Sequence, residues 1–324
     1  EAPFPRKQML QAQWGLKDQV LADPAIWLCH NCGDCSTHCP RGARPGDVFG
    51  ALRREAIKHF SWPGFLGRWV NNPKMLPLLA LIPILLFGAL WAWGPEADSM
   101  NPGEMEFANQ FPVPLLEALF FTISGLVLVS FIVGLSRFVR ALRAHGAGAP
   151  ILPNLLPALG EIATHRRFAQ CGTERNRYWG HLLILWGFLG LATVGTIIGL
   201  GHMAGLVQTP LAQTSPLKIL ANVSAVAALT GLVILLADRL GDPLKRARST
   251  YFDWFFVAVL AGVVVTGFAA QLLREGQLAA MYAVYFVHLV LIFMLFLYAP
   301  YSKLAHFLYR TVAMAGAGPR RAAR

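Results

Sequence analysis

The chain has 324 residues, 55% of them hydrophobic and only 14% charged, with a formal net charge of +11. That balance, with its positive mean hydropathy, excludes an ordinary soluble domain and fits an integral membrane protein with a modest soluble part. The excess of base would suit a nucleic-acid binder, but its placement in alternate connections between apolar stretches argues against nucleic acid as a partner.

Residues 1–28 set apolar side chains at helical spacing and predict soluble helix. The sequence opens on Glu1 rather than Met, so an upstream segment is expected. Then come Cys29, Cys32, Cys35 and Cys39, followed by Pro40, in the pattern C-x2-C-x2-C-x3-C-P. Four thiols in eleven residues are too close for a disulfide framework. They imply a reducing compartment and have the spacing of bacterial ferredoxins, where short gaps wrap backbone around a 4Fe–4S cubane. Zinc or free thiols are the rival reading. In two-cluster ferredoxins the last cysteine ligates the other cluster. Either a second motif lies upstream of Glu1, or Cys39 closes the same cluster, with Cys171 as an alternative fourth ligand. His30 and His38 read as loop residues. Residues 41–60 resume a basic helix, and Trp62, Pro63, Trp69, Pro73 and Lys74 form the approach to a membrane.

Six apolar stretches follow, Met75–Trp93, Leu115–Val139, Trp179–Leu206, Leu217–Ala237, Tyr251–Leu273 and Leu278–Pro300, each about long enough to span a hydrocarbon core. Arginines and lysines crowd the second–third and fourth–fifth connections and the C-terminal tail, while the first connection holds Glu96, Asp98, Glu104 and Glu106. The positive-inside rule then places both termini and the cysteine run in the cytoplasm, and the protein in the inner membrane of a prokaryote. The expected fold is all-α: a six-span bundle of cytochrome b type behind a small N-terminal iron–sulfur module. The divisions are 1–62 for the module, 63–310 for the haem domain and 311–324 for a basic tail. Gly146–Pro157 reads as a loop or short amphipathic segment.

Ionisable groups inside membrane helices mark function by default. His288 and His306 lie eighteen residues apart; on one continuous helix that is five turns, which puts both on one face roughly 27 Å apart. Interfacial histidines hydrogen-bonded to water are the plain alternative. Topology sets His181 level with His306, and His202 level with His288. A haem b takes two axial imidazoles from facing helices, so His181/His306 and His202/His288 are the candidate pairs. Gly187, Gly190, Gly195 and Gly199 could give a macrocycle room, although close helix packing would use them equally. His202 is about 60° off the face of His181 and could sit in the outer loop, leaving His288 for another partner or for quinone chemistry. Lys303 and Asp253 near the inner face, and Arg274 and Glu275 near the outer, could hydrogen-bond a quinone; snorkelling or ordinary loop charge is the alternative.

The segment HLVLIFMLFLYAPYSKLAH, His288 to His306, resembles the ligand-bearing helix of the membrane subunit of respiratory nitrate reductase and of the cytochrome b subunit of heterodisulfide reductases. In those families each histidine of this H-x17-H pattern binds one haem b. The first 60 residues resemble the second cluster motif of the small iron–sulfur subunit of heterodisulfide reductase. The fusion, with WLCHNCGDCSTHCPRGARPGD, YFDW and PYSKLAH, looks like the membrane subunit of the quinone-interacting membrane-bound oxidoreductase (Qmo) family. That family carries two cluster motifs and two haems b, where this chain carries one motif. The resemblance implies an electron relay between menaquinone and soluble flavin and iron–sulfur subunits, with adenylylsulfate reductase as the final partner in sulfur metabolism. A heterodisulfide-reductase-type subunit serving a thiol–disulfide partner is the alternative, and a non-redox anchor with structural zinc is a third.

Overall fold

A computed structural model of the protein describes residues 4–93, 103–146, 149–166, 175–242, 245–246 and 249–322, and the regular elements among them are all helical. Residues expected to form one soluble helix fold as three short ones: α1 (Arg6–Gln13), α2 (Lys17–Leu21) and α3 (Ala25–Leu28). Gly15, at φ +69°, turns the chain after the first, and Pro24 opens the third. α4 (Asp34–Thr37) lies inside the cysteine run. α5 (Pro45–Phe60) starts on proline, carries Asp47 in its first turn and Lys58 in its last, and so suits its own dipole. It buries Phe49, Ala56, Ile57 and Phe60.

After α6 (Gly64–Val70) and a 3-10 turn at Pro73–Met75, α7 (Leu76–Trp93) enters the apolar bundle and continues through Pro83. The others are α8 (Val113–Ala144), α9 (Ile151–Thr164), α10 (Arg175–Met203), α11 (Pro216–Gly241), α12 (Tyr251–Glu275), α13 (Ala280–Leu297) and α14 (His306–Ala322, interrupted at Gly318). Six of these, α7 with its leading turn, α8, α10, α11, α12 and α13, are long and apolar enough to cross a membrane. Leu128, Leu189, Val223 and Val233 on them stay exposed, the arrangement expected when lipid is the solvent. This is a multi-pass membrane protein.

α10 packs along α11, α12 along α13, α11 against α12, and α13 meets α7 and α8. The α10/α11 seam explains two glycines: a Cβ at Gly187 would lie 2.6 Å from Ala228 N and Ser224 O, and one at Gly190 would collide with Ser224 Oγ. Gly187 and Gly190 therefore seat a neighbouring helix rather than making room for a macrocycle, while Gly195 faces open space.

The expected straight run from His288 to His306 is not one helix. α13 stops at Leu297, and 3-10 turns at Ala299–Tyr301 and Lys303–Ala305 flank the extended Ser302. Pro300 has no N–H to continue the ladder. His306 is thus the first residue of α14, so the same-face argument does not apply to it.

A second core joins the N-terminal helices to the bundle. Trp27 stacks on Tyr309 with centroids 5.1 Å apart and meets Phe138 edge-on at 6.3 Å. Ile26, Ile57, Phe60, Phe252 and Ala313 complete it. The amphipathic segment after residue 146 forms α9, which packs along α14. Beyond residue 310 the chain continues as α14, with Thr311, Ala313, Met314 and Ala315 buried.

Candidate functional site

The end of the bundle that carries the cysteine module gathers three histidines. His181, in the second turn of α10, and His306, at the start of α14, have ring centroids 6.1 Å apart with planes at 84°. His165 closes the group: its Nε2 lies 2.7 Å from His181 Nδ1. His165 ends α9 in a left-handed conformation, φ +51°. α10 holds that end in place, through Trp186 Nε1–H donating to Ala163 O at 3.1 Å and the Tyr178 hydroxyl donating to Thr164 O at 3.4 Å.

His306 Nδ1 donates to the Lys303 carbonyl at 2.5 Å, and desolvation pushes its pKa down to about 4. The imidazole is therefore neutral near pH 7, with its lone pair on Nε2. If His181 donates from Nδ1 to His165, its Nε2 is left in the same state. A second-shell acceptor behind Nδ1 is how ligating imidazoles are oriented. Two nitrogen–metal bonds of about 2 Å each, added to the two ring radii, also give a centroid spacing near that observed. The donor set fits an axial bis-imidazole pair.

His202 and His288 are not brought together in this way; among the described residues each has its own partner. His202 Nδ1 lies 2.9 Å from Glu117 Oε1 on α8, an ion pair when the imidazole is protonated. His288 Nδ1 lies 3.0 Å from Thr266 Oγ1 on α12, whose hydroxyl itself donates to Gly262 O at 2.6 Å. The outer pair expected from depth alone fails because α10 and α13 turn these residues toward different helices.

The cysteine run forms a compact loop. Cys29 follows α3, Asn31 and Gly33 take left-handed conformations at φ +57° and +90°, Cys35 rides on α4, and Cys39 follows it. All four are half-exposed free thiols, and the Asn31 N–H points at Cys29 Sγ from 3.3 Å. Amide-to-sulfur hydrogen bonds of that kind accompany cluster ligation. No three His, Cys, Asp or Glu side chains among the described residues meet at one point as ligands of a single ion would. A cubane makes no such demand, because it spreads its thiolates over four irons. Cys171, the alternative fourth ligand, lies outside the described residues.

The two histidine-bearing helices also hold this loop. Arg177, one turn before His181, donates to Asn31 O at 3.0 Å. Arg310, one turn after His306, donates to Trp27 O at 3.0 Å and Cys29 O at 3.3 Å.

Of the quinone candidates, Lys303 and Asp253 neutralise each other at 2.6 Å. Asp253 also caps α12, accepting from Thr250 N at 2.9 Å and Thr250 Oγ1 at 2.8 Å. Arg274, in the last turn of α12, is half-exposed, and its carbonyl accepts from Gln277 Nε2 at 2.9 Å. At that far end Glu275 accepts from Gln213 beside a cleft of about 480 Å³, where Gln271 and Asn222 meet Phe268 and Leu272.

A family model described as citrate utilization protein B matches residues 70–324. The chain belongs to that family. Citrate utilization protein B of Escherichia coli is 26% identical over 312 residues, 89% of this chain and 79% of its own length. The cysteine-bearing part is similar to one subunit of the H(2):CoB-CoM heterodisulfide,ferredoxin reductase of the archaeon Methanothermobacter thermautotrophicus. That match is 40% identical over 57 residues, 17% of this chain and 31% of that protein. One subunit of the dihydromethanophenazine:CoB--CoM heterodisulfide reductase of Methanosarcina thermophila is 28% identical over 184 residues, 52% of this chain and 67% of its own length. No solved structure matches the chain. This citrate utilization protein B family member is thus related, through both of its parts, to membrane and iron–sulfur subunits of multi-subunit reductases, which supports an electron-transfer role.

Proposed function

We infer that the protein is the membrane electron-transfer subunit of a quinone-linked oxidoreductase complex. Cys29, Cys32, Cys35 and Cys39 would hold a 4Fe–4S cluster, and His181 with His306 a haem b. The observation that carries this reading is the placement of His181 opposite His306, each one turn from an arginine that grips the cysteine loop. Bound there, such centres would each carry one electron at a time, the step size needed to connect a two-electron quinone with another carrier.

The chain's own groups supply the setting. His165 and the Lys303 carbonyl fix the two imidazoles. Trp27, Phe60, Phe138 and Tyr309 fill the space beneath the loop and keep water from it. For the quinone, menaquinone by the Qmo resemblance, the far-end cleft offers an apolar wall with carboxylate and amide groups, whereas Lys303 and Asp253 are already spent on each other. With the cysteine module in the cytoplasm, that cleft opens on the outer side of the inner membrane. Turnover there would move charge across the bilayer. The divisions 1–62, 63–310 and 311–324 would then be module, haem part and tail. His202 and His288 stay outside the assignment.

The soluble partners would be flavin and iron–sulfur subunits, with adenylylsulfate reductase the partner by the Qmo resemblance. The similarity to subunits of two heterodisulfide reductases favours, as a second reading, a partner that reduces or forms a disulfide. The proteins that co-purify decide between these partners. The function itself is tested by adding a menaquinol analogue to the chain in liposomes and following its visible spectrum. A haem b band that rises on addition, and is missing in His306→Ala, is the expected result; a parent chain that the quinol leaves unchanged contradicts the reading.

A further inference from the structure

The stretch from Ile26 to Asn31 carries the first cysteine and leads into the second, and arginines from three helices grip its backbone. Arg53 of α5 donates to Ile26 O and Cys29 O, both at 2.6 Å. Arg310 of α14 reaches Trp27 O at 3.0 Å, Cys29 O at 3.3 Å and Leu28 O at 3.5 Å, and its Nη2 lies 3.1 Å from His30 Nδ1. Arg177 of α10 takes Asn31 O at 3.0 Å.

One guanidinium at the end of α3 would need no more explanation than capping of its last carbonyls. α3, however, has four residues and receives two guanidinium groups, and Arg177 binds beyond its end. The charges of Arg53 and Arg177 repel, while the Cys29 thiol both attracts Arg53 and hydrogen-bonds to it. Gathering like charges costs free energy unless negative charge is placed among them. Thiolates on an iron–sulfur cluster supply that charge, and one-electron reduction adds to it. Net charge and hydrogen bonding near a cluster are what set its potential.

We propose that Arg53, Arg177 and Arg310 form a cationic collar that docks the cysteine loop onto α10 and α14 and raises the reduction potential of the cluster held there. The proposal rests on the cluster assignment above and adds the residues that tune and position it.

The test is a redox titration followed by electron paramagnetic resonance on the full chain in its membrane complex. Arg310→Gln should lower the cluster midpoint by about 59 mV, a tenfold change in a one-electron equilibrium. Arg177→Gln should move it the same way, and Arg310→Lys, which keeps the charge, should stay nearer the parent. Unchanged midpoints in cluster-loaded Arg310→Gln and Arg177→Gln overturn the collar and leave the electron-transfer reading standing. A parent complex with no iron–sulfur signal removes both. If Arg310→Gln fails to load, the midpoint of Arg177→Gln decides the tuning. Docking is read separately, as the alkylation rate of Cys29 in cluster-free chain. It should rise several-fold in Arg310→Gln, and an equal rate contradicts docking.

Discussion

His165 is a residue whose position matters more than its neighbourhood in the sequence would indicate. Its Nε2 stands behind His181 Nδ1 at 2.7 Å, the place where ligating histidines take a second-shell partner. Losing such a partner typically weakens metal binding about 10- to 100-fold. His165→Ala should therefore lower haem occupancy by that order when haem is limiting, with the protein still folded; equal haem-to-protein ratios in parent and variant would remove the role. His165 is not legible in the sequence because it sits among Arg166 and other basic loop residues. What carries it to His181 is a left-handed backbone turn that no side-chain pattern encodes. Arg177 and Arg310 read in the sequence only as charge marking one side of the membrane. Their spacing, one turn from each candidate histidine, is the available clue to a second task.

Among elements, α10 and α11 are bound by small residues rather than by a cofactor. A methyl on Gly187 would press on backbone atoms of α11 at 2.6 Å, which no rotamer change relieves. Gly187→Ala should cost about 1–3 kcal/mol, the usual range for overpacking, and lower the unfolding temperature in detergent. Gly195→Ala meets nothing within 4 Å and should be neutral or slightly stabilising through helix propensity. Equal unfolding temperatures for the two variants would contradict the seam. The six spanning helices are legible because each is long and apolar, and the observed boundaries differ by only a few residues. The break after α13 is less legible, since Tyr298 to Ala305 stays mostly apolar while its backbone changes direction at Pro300 and Ser302. Span depth therefore sets His306 level with His181, but helical phase could not have done so.

For the whole molecule, the N-terminal module and the spanning bundle share one core, with Trp27 stacked on Tyr309 and Ile57 and Phe60 beside Phe138. That shared packing, together with the arginines, joins the cysteine loop to the histidine-bearing helices as one body. The all-helical class is legible from composition, and the cysteine run from its spacing alone. The shared core is not, because an amphipathic helix such as α5 reads the same whether its apolar face covers its own module or a neighbour's. The central claim is that one chain holds thiolate-bound iron beside imidazole-bound iron at the same end of a membrane bundle. Metal, labile sulfide and haem content of the isolated complex tests it most directly. The account predicts a 4Fe–4S cluster lost with Cys32→Ser and a haem b lost with His306→Ala. Zinc in place of iron at the cysteines, or a complex without haem, would contradict it.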